Sequence, residues 1–214
     1  MGLFSKSPKE KEAKRAKKFQ KKLNDAKNKL NSNNQSKMHN IVIRDLVELA
    51  RTKDEYLECS ELFKQWADIF LPYLESGKPR FDWIKFKQNM VFGMQSLLIT
   101  ADFVDVVEYS DKLTSLKDFI YSLVINGNPF IDDKNDLYTV VGVYLGFALF
   151  KLGKYDESFK ILHPIGLVTV PISSINDELD DYGKEMFGEY RNELFAGEFC
   201  AIIAEDAQDG KLSN

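Results

Sequence analysis

Histidine and cysteine are the side chains of this sequence best suited to metal binding or nucleophilic chemistry. The two histidines, His39 and His163, have no Cys, Asp or Glu partner at metal-ligand spacing on one helix face. The two cysteines, Cys59 and Cys200, lie far apart and could form one disulfide at most. We therefore expect two buried thiols in a reducing compartment. The sequence has no GxxxxGKS or GxxxxGKT phosphate loop, no GxGxxG turn and no GxSxG nucleophile elbow.

Carboxylate pairs could supply general acid–base or calcium-binding chemistry. Such pairs include Asp132/Asp133, Asp180/Asp181 and Glu185/Glu189. Chance alone is expected to produce pairs of this kind among the 30 acidic residues that follow residue 37. The stretch 132–136 lacks the glycine and the terminal glutamate of an EF-hand loop. Its negative charge is instead favourable at the start of a helix. The sequence therefore predicts no metal, no cofactor and no enzymatic activity.

Charge divides the sequence into two parts. Residues 1–37 carry twelve Lys or Arg and three Asp or Glu, a net charge of +9, whereas residues 38–214 carry −13. Of the 27 aromatic residues, 25 follow residue 37, which is enough for a core and excludes a fully disordered chain. No apolar stretch reaches the roughly 20 residues of a membrane span, and no secretory signal is present. We expect a cytoplasmic protein with a basic tail over residues 1–37 and a folded domain over residues 38–210.

The basic tail is predicted to be either disordered or a single amphipathic helix. Its apolar residues recur every three or four positions: Ala13, Ala16, Phe19, Leu23, Ala26 and Leu30. Four roles stay open: adsorption to an anionic membrane, contact with RNA phosphates, docking onto an acidic body (its own or a neighbour's), and a solvated tail without a tight partner. The residues that would contact membrane or phosphate are Lys14, Arg15, Lys17, Lys18, Lys21 and Lys22.

The body is predicted to be all-α because its apolar residues also recur at spacings of three and four. The predicted helices lie around residues 43–50, 59–73, 83–101, 106–123, 141–152, 155–162 and 175–204. Thr52 and Glu55 have capping-box spacing, and Pro72 should stop or kink the second helix. Residues 163–173 are predicted to be a loop or a short extended piece. The pattern indicates about seven helices arranged as antiparallel hairpins.

One stretch of the body, residues 140–162, carries a recognisable pattern. It consists of Leu145-Gly146 in one helix, Gly153 at a turn, and Tyr155-Asp156-Glu157-Ser158 at the start of the next helix. Gly146, Ala148 and Ser158 are small where two antiparallel helices would approach closely. The stretch resembles the central part of a tetratricopeptide repeat (TPR). It departs from that pattern where Gly142 replaces a large aromatic residue and where Pro164 cuts the second helix.

A second candidate hairpin lies at residues 91–113. Ala101, Phe103 and Asp105 are spaced there like Gly153, Tyr155 and Glu157. The offset is 52 residues, not the 34 of tandem repeats. We therefore expect degenerate hairpins rather than a regular array.

The resemblance implies a TPR-like or α-solenoid-like body whose grooves bind proteins or peptides. It implies that the first helix of the hairpin lines a concave surface through Val143, Phe147, Phe150 and Lys151. For Phe147 and Phe150, core packing against the next hairpin is the alternative. We expect a non-enzymatic protein–protein interaction module or adaptor. The alternative function is a peripheral membrane or nucleic-acid-associated protein attached through the basic tail.

Overall fold

The computed structural model of the chain describes residues 7–32, 38, 40–75, 82–125, 134–165, 169–171 and 193–195. Within these residues there are eight α-helices and one short pair of strands. The helices are α1 (Pro8–Asn31), α2 (Ile43–Val47), α3 (Lys53–Glu75), α4 (Trp83–Ile99), α5 (Phe103–Ser115), α6 (Lys117–Ile125), α7 (Lys134–Lys151) and α8 (Tyr155–Ile165). The strands are β1 (Thr169–Pro171) and β2 (Glu193–Phe195). The predicted all-α class is confirmed, and none of the described helices is long and apolar enough to cross a membrane.

Local sequence signals account for most of the helix boundaries. The predicted capping box begins α3: the Glu55 N–H donates to Thr52 Oγ1 at 3.3 Å, and the Thr52 N–H donates to Glu55 Oε2 at 3.4 Å. Pro72 lies inside α3, which ends three residues later at Glu75. The helix predicted over residues 106–123 is two helices, because Leu116 separates α5 from α6.

Two predictions at the end of the chain are wrong where the structure describes it. Helix α8 continues through Pro164 to Ile165, although residues 163–173 are predicted to be a loop or a short extended piece; the extended piece is present at β1 (Thr169–Pro171). Proline in the last turn removes only one backbone hydrogen bond, so the helix tolerates it. The long helix predicted over residues 175–204 is contradicted at Glu193–Phe195, which pairs antiparallel with β1 so that Leu194 faces Val170. Local periodicity carries no sign of this non-local pairing, and the rest of that predicted helix lies outside the described residues.

Helix α4 lies at the centre of the core and contacts α2, α3, α5 and α7. The α3–α4 interface is aromatic: the Trp66 ring lies 4.9 Å from that of Phe70 and 6.2 Å from that of Phe86. Gly93 of α4 lets the two helices approach closely, since a Cβ at this position would overlap the Phe63 ring. Buried aromatic area of this kind is the main source of stability in such a core.

Helix α1 belongs to the same folded unit. Its apolar stripe is buried in the common core through Phe19, Leu23, Ala26 and Leu30, and α1 contacts both α2 and α3. Of the roles left open by the sequence, docking onto the body of the same chain is the one that the structure adopts. Helix α1, the part of the basic segment that forms this helix, therefore contributes to the hydrophobic core instead of standing apart from it.

Candidate functional site

The turn between α7 and α8 has the geometry that the TPR-like pattern suggested. Gly153 has a φ of +75°, which glycine adopts without steric cost. Its N–H donates to the Phe150 carbonyl at 3.0 Å, and the Lys154 N–H donates to the Leu149 carbonyl at 2.9 Å. These two bonds form a Schellman motif, which satisfies the last carbonyls of α7 and reverses the chain.

Helices α7 and α8 then pack closely at their small residues. Ser158 is buried, and its Oγ donates to the Gly146 carbonyl of the facing helix at 2.7 Å. A Cβ at Gly146 would overlap the Leu162 side chain. The close approach expected for Gly146 and Ser158 is therefore present.

The turn between α4 and α5 repeats this geometry 52 residues earlier. Ala101 has a φ of +63°. Its N–H donates to the Leu98 carbonyl at 3.2 Å, and the Asp102 N–H donates to the Leu97 carbonyl at 2.9 Å. Each of these residues is the counterpart, at the 52-residue offset, of one in the α7–α8 turn. The spacing of residues 91–113 therefore identified a hairpin of the same type.

The four residues predicted to line the concave face differ in their exposure. Val143 and Phe147 are 0% and 1% exposed, so the prediction that they form an exposed binding face is wrong. Their helix is covered by α4 and α5, and the Phe147 ring meets that of Phe103 at 6.2 Å. Core packing, the alternative for Phe147, is what the structure has. Phe150 is half-buried against Tyr155, with ring centroids 5.6 Å apart. Lys151 is exposed, with its Nζ 5.4 Å from the centre of the Phe147 ring.

The two turns also carry exposed side chains that sequence reasoning missed as a surface. The Phe103–Phe147–Lys151 contacts place the start of α5 beside the last turn of α7. Val104, next to Phe103, is 65% exposed, and Leu152 is 39% exposed. We call Val104, Lys151 and Leu152 the turn surface. The sequence did contain a signal for the exposure of Val104. This residue does not share the helix face of Val106, Tyr109 and Leu113, which form the buried stripe of α5.

A polar network fixes α5 against α3. Lys64 pairs with Asp105 at 3.2 Å, and the Tyr109 hydroxyl donates to Asp68 Oδ1 at 3.0 Å. Hydrogen bonding to Glu61, and then to Asp105, raises the pKa of Lys64. Burial raises the pKa of Tyr109, and its hydrogen bond to Asp68 raises it further. Both groups therefore keep their protons at neutral pH, and the network acts as a brace between the helices.

A cleft of about 160 Å³ lies beside this brace, between α3 and α5. Its lining combines apolar groups with one opposite-charge pair, Asp68 and Lys112, which are 3.1 Å apart. Among the described residues, no group of three His, Cys, Asp or Glu is placed to hold a metal ion. Cys59 is buried, as expected, and burial raises the pKa of its thiol.

The six basic residues predicted to contact membrane or phosphate fall into two sets. Arg15 and Lys22 turn towards the body: Arg15 Nη1 donates to Glu55 Oε2 at 2.8 Å, and Lys22 pairs with Asp45. The other four are exposed on α1: Lys14, Lys17, Lys18 and Lys21.

Comparisons of the chain with protein-family models, with curated proteins and with solved structures find no match.

Proposed function

We propose that this chain is a non-enzymatic protein–protein interaction module built on a TPR-like stack of helical hairpins. The supporting observation is the repeated hairpin. Helices α4–α5 and α7–α8 are joined by turns with the same Schellman hydrogen bonds, and α7 packs against both α4 and α5. Hairpins stacked on their neighbours in this way expose extended surfaces, on which repeat proteins bind their partners.

The partner binds at the turn surface in this proposal. Val143 and Phe147 are used in the core, so we assign the apolar contact to the exposed ends of the hairpins, where Val104 is the most exposed of the large apolar side chains that the structure describes. Val104 and Leu152 supply apolar area there, and Lys151, the neighbour of Leu152 in the chain, supplies a positive charge. Apolar anchors at the centre with polar and charged groups around the rim are the usual arrangement of a protein interface.

The test compares two double variants of equal charge. Val104→Asp with Leu152→Asp places carboxylates in the turn surface. Ile69→Asp with Ile84→Asp does the same at side chains that are 39% and 48% exposed on α3 and α4. Tagged forms are used for affinity purification from native extract, and each captured protein is then titrated in purified form.

We expect a partner that binds the wild type and the Ile69/Ile84 variant with equal affinity and the Val104/Leu152 variant at least about tenfold more weakly, as for loss of a binding hot spot. Equal binding to all three forms would remove the turn surface from the proposal. The absence of any captured protein that binds the purified chain would reject the module itself. Circular dichroism of each variant verifies that the helices are retained.

A further inference from the structure

Helix α1 presents two chemically different faces. Its inner face is attached to the body by apolar contacts and by three ion pairs: Arg15–Glu55, Lys22–Asp45 and Lys27–Glu58. Its outer face carries the exposed lysines Lys14, Lys17, Lys18 and Lys21, which we call the lysine ridge. By covering acidic side chains of α2 and α3, α1 replaces an acidic surface with a basic one.

The lysine ridge is a cluster of four positive charges that no ion pair with a described residue neutralises. Its four residues stand at i, i+3, i+4 and i+7, so they share one face and span about 10 Å along the axis. None of them forms an ion pair with a residue in the part of the chain that the structure describes. Like charges at these spacings oppose helix formation. The ridge is therefore a cost to folding, and the apolar stripe and ion pairs of the inner face offset that cost.

The outer face of α1 has little to insert into a hydrocarbon phase. Phe19, Leu23 and Leu30 are 1–3% exposed because they pack in the core. While α1 is docked, a ligand of the ridge is held by charge alone. This differs from an amphipathic helix that lies on a bilayer with its apolar face inserted.

We propose that the lysine ridge binds the surface of an anionic lipid bilayer with α1 still docked on the body. Four observations favour a planar lipid surface over RNA. The ridge has only ammonium groups, which attract phosphates without directional contacts. Arg15, the arginine of α1, is engaged by Glu55 and by the Leu49 carbonyl. The aromatic ring of α1, Phe19, is buried, so it cannot stack on a base.

The fourth observation is the position of the acidic side chains. Asp45, Glu55 and Glu58 pair with the inner face of α1, so the helix separates them from anything bound to the ridge. A flat anionic surface in contact with the ridge therefore lies on the opposite side of α1 from these three carboxylates, each of which is already paired with a basic side chain of α1. A flexible RNA chain would extend past the helix and meet them.

The experiment uses the full chain and two quadruple Lys→Gln variants with equal net charge. The ridge variant changes Lys14, Lys17, Lys18 and Lys21. The control variant changes four exposed lysines of the body: Lys53, Lys117, Lys154 and Lys160. Each form is sedimented with vesicles of phosphatidylcholine, with and without about 30% phosphatidylserine, and is titrated with a labelled single-stranded RNA.

We expect the wild type to bind the anionic vesicles, to release them as NaCl is raised, and to ignore pure phosphatidylcholine. Each lysine near the surface contributes a factor of about five, so the ridge variant should bind about a hundredfold or more weakly. The control variant should stay within about threefold of the wild type. Thermal unfolding of the ridge variant should be no lower than that of the wild type, because its like-charge pairs are gone.

Three results would overturn this assignment. Equal losses in the ridge and control variants would mean that overall charge, not the ridge, governs binding. Ridge-dependent binding to RNA without binding to vesicles would assign the surface to nucleic acid. No binding to either probe would leave the ridge without an anionic partner.

Discussion

The hairpins α4–α5 and α7–α8 share a turn but fill the space between their helices in opposite ways. In α7–α8 the small residue, Gly146, is on the first helix and the large one, Leu162, is on the second. At the equivalent positions of α4–α5, 52 residues earlier, the first helix has Met94 and the second has Ser110, and both are buried. In the register of the two turns, the larger residue is therefore on the first helix of α4–α5 and on the second helix of α7–α8. Close-packed interiors conserve the total volume at an interface more strictly than the identity of each residue.

The two glycines that allow helices to approach closely also face different neighbouring helices. Gly146 faces α8 of its own hairpin, through Leu162, whereas Gly93 of α4 faces Phe63 of α3. Helix α4 is packed on several sides, and its glycine is used where an aromatic side chain must fit. The two hairpins therefore share backbone geometry while their packing follows their surroundings.

Removal of the large member of each pair is expected to have the largest effect. Leu162→Ala and Met94→Ala should each lower the free energy of unfolding by about 3 kcal/mol, since both delete a fully buried side chain and leave a cavity. Urea unfolding curves measure both values. If Met94→Ala costs less than about 1 kcal/mol, Met94 does not fill the space that Leu162 fills, and the size exchange between the hairpins is refuted.

Substitution of alanine for Gly93 and for Gly146 should distinguish the two interfaces, because the side chain opposite each glycine differs in how far it can move. Gly93→Ala is expected to cost about 2 kcal/mol, because the Phe63 ring is held by Trp66 and Tyr109 and cannot move aside. Gly146→Ala should cost less, because its Cβ would overlap one aliphatic side chain, that of Leu162, instead of an aromatic ring, while both substitutions gain the same helix propensity of about 1 kcal/mol. Both variants are measured by the same urea titration. A larger loss for Gly146→Ala would show that α7–α8 is the more rigid interface.

Exchange of the two turn residues tests whether the turns are equivalent. Ala101→Gly should stabilise the protein, and Gly153→Ala should destabilise it, each by about 1 kcal/mol, because a left-handed conformation strains alanine but not glycine. A Cβ at Gly153 would meet nothing within 4 Å, so its cost is one of backbone conformation alone. The double variant should unfold at nearly the wild-type temperature. Changes of the same sign in both single variants would contradict the shared turn.

The smallest expected difference concerns two buried serines. Ser158→Ala removes a bond between helices, from Oγ to the Gly146 carbonyl, and should cost about 1 kcal/mol. Ser110→Ala removes a bond within α5, from Oγ to the Val106 carbonyl, and should cost about half as much or less. Hydrogen exchange of the α7 amides provides the second measurement. Only Ser158→Ala should speed it up.

Helix positions were predictable where the apolar periodicity is local, as in α3 and α8, whereas α7 is apolar on nearly all sides and begins seven residues before the predicted position 141. The Thr52–Glu55 capping box and the turn at Gly153 were predictable for the same reason, since a few adjacent residues determine each. The candidate site was predicted less well. Val143 and Phe147 look alike in sequence whether they line a groove or a core, and only the position of α5 decides between the two. The strand at Glu193–Phe195 depends on a partner more than twenty residues away.

The sequence by itself determined that the folded part of this chain is mainly helical, the approximate positions of most of its helices, and that its N-terminal segment is basic with a thin apolar stripe. These properties follow from spacing, capping and charge within a few residues. The tertiary structure decided which surfaces remain open. It buried Phe19 and Leu23 of α1 in the core, turned Arg15 inwards and left four lysines outside. Burial depends on which helices meet, and that is a property of the whole chain that no local pattern contains.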